Sequence, residues 1–183
     1  MPLRSGTAGG EIIMPDTIGE KSITIDSSAQ EIYGYICDFS RHAEWNHQPT
    51  EIIKTSEGPI GVGSTFRTRE QIHGVAPWYM KVLMRVMPPT YTEAEITAME
   101  PGRRLAWNAA LPTRSGYSMK ADWEILLDPR DEATKVTQRY HYMPQTKLGD
   151  RMGAKGFARM IGREVAANLE ILKSTVEGHT RDR

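Results

Sequence analysis

The chain has 183 residues, 23 basic against 23 acidic side chains, and one cysteine. That length suits about one domain with a core of its own, and a formal net charge of zero removes the broad electrostatic footprint of a protein that lives on phosphate backbones or anionic lipid. The lone Cys37 excludes an internal disulfide and a cysteine-rich zinc site. No apolar run approaches the roughly 18 residues of a membrane span, and Met1 to Asp16 carries no apolar signal stretch. The expectation is a cytoplasmic protein with no stable membrane insertion and no nucleic-acid partner.

Residues 1–18 carry Gly6, Gly9, Gly10, Pro2 and Pro15 without periodicity and read as a flexible tail; 19–177 read as a single domain and 178–183 as a second tail. Ser22 to Asp26 alternates polar and apolar as a half-buried strand does. Ser28 and Glu31 then carry the signature of a capping box, opening a helix whose Ala29, Ile32, Tyr33 and Ile36 share one stripe. Asp38 ends it, and a second helical turn closes on Trp45, which suits packing in the core. The glycine-rich run Gly58 to Gly63 lacks the Gly-Lys-Ser/Thr ending of a phosphate loop and leads into a strand, so it reads as a turn. Strands are expected at 19–26, 50–56, 63–73, 91–100, 103–111, 116–128 and 134–143, antiparallel where short turns such as Pro101-Gly102 join them. Between the third and fourth, Gly74 to Pro89 fits either a helical stripe of Trp78, Val82, Leu83 and Val86 or a strand alternating Val82, Met84 and Val86. Its methionines and tryptophan make a deformable apolar surface. That surface is a lid or wall of a cavity, or else a buried or subunit-contacting segment, with a second copy of the chain as the partner in a homodimer. From Gln145 to Val176 the period changes, and Phe157, Ile161, Val165, Leu169 and Leu172 mark one long amphipathic helix.

The succession Ser28-Ala29-Gln30-Glu31-Ile32, Asp38 to Trp45 and Gly58-Pro59-Ile60-Gly61-Val62-Gly63, followed by Glu100-Pro101-Gly102-Arg103-Arg104-Leu105-Ala106-Trp107 and the amphipathic C-terminal segment, resembles the START-like superfamily over residues 20–176. The match is closest to its bacterial polyketide cyclase/dehydrase branch. The resemblance implies an α+β helix-grip fold, in which a curved antiparallel sheet of about seven strands wraps a long C-terminal helix, two short helices follow the first strand, and a ligand cavity lies between sheet and helix. A fold hosts many functions, so the site has to be argued separately.

With Val136 and Phe66 taken as inward, alternation turns Gln138, Tyr140 and Tyr142 inward on the last strand and Thr68 and Glu70 on the third. Leu105, Trp107 and Ala109 follow on the fifth, with Met119, Ala121, Trp123 and Ile125 on the sixth. Such a lining suits a small apolar molecule, with apolar walls for affinity and a few polar atoms for orientation. The candidate ligand-binding residues are Glu70, Trp107, Trp123, Gln138, Tyr140 and Tyr142 from the sheet, Trp78 and Met84 from the inserted segment, and Phe157 and Ile161 from the helix. An inward carboxylate must pair, stay wet or rise in pKa. Glu70 is therefore either solvated or bonded to Gln138 or a tyrosine at the cavity mouth, or is a catalytic acid or base acting with Tyr140.

Three functions follow. The first is binding of an apolar, cyclic or lipid-like small molecule, favoured because the lining shows one carboxylate with no histidine or nucleophile beside it. The second, implied by the resemblance, is a polyketide cyclase, aromatase or dehydratase-type enzyme, whose cavity folds a flexible chain while Glu70 and Tyr140 move protons. The third is a protein-interaction or stress-response module using the Trp78 to Met87 surface. No cofactor is expected. His42, His47, His73, His141 and His179 show no metal-ligand spacing, and Cys37 reads as a buried, inert thiol.

Overall fold

The computed structural model describes residues 17–46, 49–70, 90–113, 116–144 and 154–181. Strands β1 (Thr17–Ile25), β2 (Pro49–Lys54), β3 (Thr65–Glu70), β4 (Thr90–Glu100), β5 (Arg104–Thr113), β6 (Gly116–Arg130) and β7 (Ala133–Pro144) form one antiparallel sheet in the order β1-β7-β6-β5-β4-β3-β2. Each strand from β2 to β6 pairs with the next, and β1 closes on the free side of β7. Helix α1 (Ala29–Ile36), a 3-10 turn (Phe39–Arg41) and α2 (His42–Trp45) link β1 to β2, and α3 (Ala154–Arg181) packs along β1. This is the curved-sheet, helix-grip architecture that the sequence implies. The third strand starts later than expected, because Gly63 has a φ of 83° and turns the chain, so that pairing begins at Thr65. The inserted segment and the stretch before Ala154 lie outside the described residues.

Local chemistry sets these boundaries. Ser28 Oγ accepts from the Glu31 amide at 3.2 Å while the Glu31 carboxylate accepts from the Ser28 amide at 3.4 Å, so both ends of the capping box are closed. Asp38 caps the next turn, its Oδ1 accepting from the Ser40 amide at 3.2 Å. In the Gly58 to Gly63 loop, Lys54 Nζ donates to the carbonyls of Ser56, Glu57 and Gly58 at 2.6, 3.2 and 2.8 Å. The carbonyls there converge on a cation, and the amides of Gly61 and Gly63 are already bonded to Ser64 Oγ and Ile96 O, which rules out an anion cradle.

The strand pairings arrange the inward side chains in rows across the sheet. Ile23, Val136 and Leu127 form one row and Lys21, Gln138, Ile125, Leu105 and Met99 the next. Gly19, Tyr140, Trp123, Trp107 and Ile96 follow, then Tyr142, Ala121, Ala109, Ala94 and Phe66. Around the first two rows, Ile25, Ile32, Ile36, Val165, Leu169, Leu172 and Val176 close a filled core. Each such side chain contributes about 1.5–3 kcal/mol on burial. α3 is pinned at this end, since Lys173 Nζ donates to Thr24 O at 2.8 Å and Glu177 accepts from the Asp26 amide at 3.0 Å. The outer face carries a ladder of charge, in which Glu20, Arg139, Glu124, Arg104 and Glu100, one from each of β1, β7, β6, β5 and β4, are linked in succession at 3.0, 3.5, 2.6 and 3.3 Å.

Candidate ligand-binding site

The third row is a strip of aromatic rings. Trp107 and Trp123, directly opposite on β5 and β6, lie nearly parallel at 11° with centroids 6.2 Å apart. Tyr140 faces Trp123 from β7 at 6.1 Å, and Tyr142 meets it edge-on at 6.0 Å. On the other flank Phe39 and His42 meet Trp107 at 5.6 and 5.4 Å, so the strip runs from the short helices to the last strand. Trp107, Tyr140 and Tyr142 are buried, yet Trp123 at the centre is only half-buried, as is Ala109 in the row beyond. Neighbouring strands cover both edges of Trp123, so its remaining exposure opens on the concave side.

A few polar atoms interrupt this apolar wall. Gln138 is 1 % exposed, and its Oε1 is buried without a hydrogen-bond donor among the described residues. Burial raises the pKa of Tyr140, which keeps the phenol protonated as a donor. Its ring leans across Gly19 of β1, where an added Cβ would fall among the phenol atoms, and its Oη lies 3.3 Å from where a Cβ on Gly162 of α3 would stand. Thus β1 and α3 both give up a side chain to seat this tyrosine.

Sequence reasoning places Trp107, Trp123, Gln138, Tyr140 and Tyr142 on one face, and the structure brings them together in adjacent rows. Ile161 is buried on α3 beside Gly162. Phe157 sits one turn earlier on that helix, and Glu70 is paired with Thr90 and Pro49 at the end of β3; their side chains lie outside the described residues, as do Trp78 and Met84 entirely. The strand order bears on Glu70. Three strands separate β3 from β7, about four spacings of ~4.8 Å along the sheet.

Other buried polar groups escape a reading by alternation. His42 is 3 % exposed, its Nε2 pairs with Ile36 O at 2.8 Å, and burial pushes its pKa down to about 4, so it is a neutral member of the aromatic strip. Glu164 and Asn168 are buried on α3, and Asn168 donates to Asn46 Oδ1 at 3.0 Å. Their signal was available, because residues 161, 164, 168 and 172 keep the three- and four-residue steps of a buried stripe. Cys37 is half-buried instead of buried, with Sγ donating to Gly34 O at 3.5 Å; burial, and then the Asp38 charge, raise its pKa and keep it a thiol. A groove of about 350 Å³ lies on the opposite, outer face, walled by Thr65, Arg67, Glu93, Glu95 and Asn108. Its charged lining sets it apart from the aromatic strip. Among the described residues no group of three or more His, Cys, Asp or Glu is placed to hold a metal ion, and no helix is long and apolar enough to cross a membrane.

A curved antiparallel sheet gripping one long helix, with an aromatic wall between them, defines a ligand-binding helix-grip protein. The chain belongs to the family described as polyketide cyclase / dehydrase and lipid transport, whose model matches residues 17–177. Among solved structures it resembles a conserved protein of Geobacillus kaustophilus, with a TM-score of 0.68 and 15% identity over 88% of this chain and 95% of that one. It also resembles the Zhui aromatase/cyclase of a Streptomyces species, with a TM-score of 0.66 and 11% identity over 89% and 94% of the two chains. A START superfamily protein of Mycobacterium smegmatis gives a TM-score of 0.63 at 13% identity, covering 88% of this chain and 97% of that one. At these identities the likeness speaks for the fold alone. Among curated proteins none matches the chain.

Proposed function

We propose that the protein binds an apolar small molecule, cyclic or lipid-like, between the aromatic strip and α3. The observation that carries this is Trp123. It lies inward on a strand flanked on both sides and touches three other rings, which would close a core, yet it stays half-exposed on the concave side. Flat rings offer stacking area to a ligand at low conformational cost, and the single unsatisfied amide oxygen of Gln138 gives such a ligand one oriented polar contact. Carriage is favoured over cyclisation because the acid/base pair of the enzyme reading, Glu70 and Tyr140, comes from β3 and β7, which stand on opposite sides of three other strands.

The test is native mass spectrometry of the purified protein, with organic extraction of whatever travels with it, and uptake of the neutral fluorophore N-phenyl-1-naphthylamine. A stoichiometric apolar compound, and probe uptake that Trp123→Ala weakens about tenfold, the scale of one lost aromatic contact, are expected. Uptake unchanged by Trp123→Ala would move the ligand away from the strip. Turnover of an extracted polyketide chain that Glu70→Gln abolishes would restore the enzyme reading.

A further inference from the structure

Beside the aromatic strip, one square of the sheet is polar. Its corners are Lys21 and Gly19 on β1 and their register partners Gln138 and Tyr140 on β7, all on the inward face. Gly19 contributes no side chain, and Gly162 of α3 roofs the square, since a Cβ there would stand 3.3 Å from Tyr140 Oη and 3.6 Å from Lys21 Cε. The Cε of Lys21 therefore lies under the same glycine of α3 as the phenol, while the side chain as a whole stays exposed. Among the described residues no carboxylate pairs with Lys21. Gln138 Oε1, opposite it, is buried without a donor. A lysine with no carboxylate partner among the described residues, a protonated phenol and an orphaned acceptor thus occupy neighbouring corners where the ring strip meets the seam between β1 and α3.

The surrounding charge has the same sign. Around α3, at roughly 100° per residue, Arg159 lies about 60° from Gly162 while the buried Glu164 lies about 160° away. Both Arg159 and Arg163 are exposed. Glu20, the acid next to Lys21, points to the outer face and is held there by Arg139 at 3.0 Å.

We infer that the ligand is an amphipathic organic acid, with its apolar body against Trp123 and Trp107 and its carboxylate held at this square by Lys21 and Tyr140. The ammonium supplies the opposite charge and the phenol a second donor, giving two charge-assisted hydrogen bonds to one carboxylate. An ammonium has three donors, so once drawn inward by the anion it also satisfies Gln138 Oε1. The ligand thereby removes the one buried defect of the square. The inference rests on the aromatic strip being the ligand wall and adds the charge of what is bound there.

The experiment displaces N-phenyl-1-naphthylamine from the full chain at pH 7.5 with sodium dodecanoate and with dodecanol, which share a chain and differ in the head group. Dodecanoate should displace the probe at about a tenfold lower concentration than dodecanol, the scale of one charge-assisted hydrogen bond. Lys21→Met should bring the two within about twofold of each other by weakening the acid alone; Lys21 is exposed, so the variant keeps its core. Tyr140→Phe should weaken the acid and leave the alcohol unchanged. Equal displacement by acid and alcohol in the native protein, or a preference for the acid that survives Lys21→Met, overturns the inference while leaving the apolar site in place. A protein that takes up no probe at all overturns both.

Discussion

His42 shows what one buried ionisable group does to the whole. Its ring is packed against Phe39 at 3.9 Å and Trp45 at 4.8 Å, and burial lowers its pKa from 6.5 to about 4. Below pH 6.5 the unfolded chain takes up a proton that the folded one refuses until about pH 4. The stability that this histidine provides is therefore complete above pH 6.5 and lost on the way down to about 4. The total is about 3 kcal/mol at 1.36 kcal/mol per pKa unit. Urea unfolding of the native protein and of His42→Phe at pH 7.5 and pH 4.5 should show the native protein losing more stability on acidification, by about that amount; parallel losses would mean that His42 is solvated. Nothing in the sequence marks this residue. Its position in the run Phe39, His42, Trp45 is that of a core side chain, but only the Ile36 carbonyl, brought round by the turn, makes a buried imidazole affordable. Lys21 is the opposite case. It lies in phase with Ile23 and Ile25, so alternation alone turns it inward, and a lysine in that phase is the signal that a polar partner waits there.

At the scale of elements, the seating of α3 on the sheet depends on Tyr140 and the glycines on either side of it. Gly19→Ala should cost about 1–3 kcal/mol, because the new methyl occupies space held by the phenol and the strand cannot yield without breaking its pairing with β7. Combining it with Tyr140→Leu should recover much of that loss in denaturant unfolding, whereas additive losses would place the strain elsewhere. Inward faces were legible because the period of two is strict and Val136 and Phe66, both buried, fix its phase. The capping box at Ser28 was legible for the same local reason. Tyr140 between two glycines was not, since Gly19 and Gly162 are 143 positions apart in the chain and only the pairing of β1 with β7 under α3 makes them neighbours of one ring. The outer ladder from Glu20 to Glu100 was equally hidden in single strands. Its members are largely exposed, so each link contributes under about 1 kcal/mol and it acts chiefly to keep that face charged and free of apolar pairing.

Over the whole molecule the core divides into a filled end and a half-open end. On β5, β6 and β7, Val136, Leu127, Ile125 and Leu105 are buried toward α1 and the C-terminal half of α3, while Trp123 and Ala109, in the rows beyond, retain exposure. Amide hydrogen exchange should follow that gradient. Amides near Ile125 and Val136 should open only with global unfolding, those near Ala121 and Tyr142 faster, and bound dodecanoate should slow the second group more than the first. Uniform protection along β6 and β7 would contradict the division. Because Trp123 and Ala109 are already part-exposed, substitutions at these two positions disturb the fold less than substitutions at the fully buried Ile125 or Leu105. On the proposed reading of the strip as a ligand wall, a lineage carrying this scaffold can drift from one ligand to another through mutations around Trp123, with selection on ligand choice acting on one set of residues and selection on solubility and abundance on another.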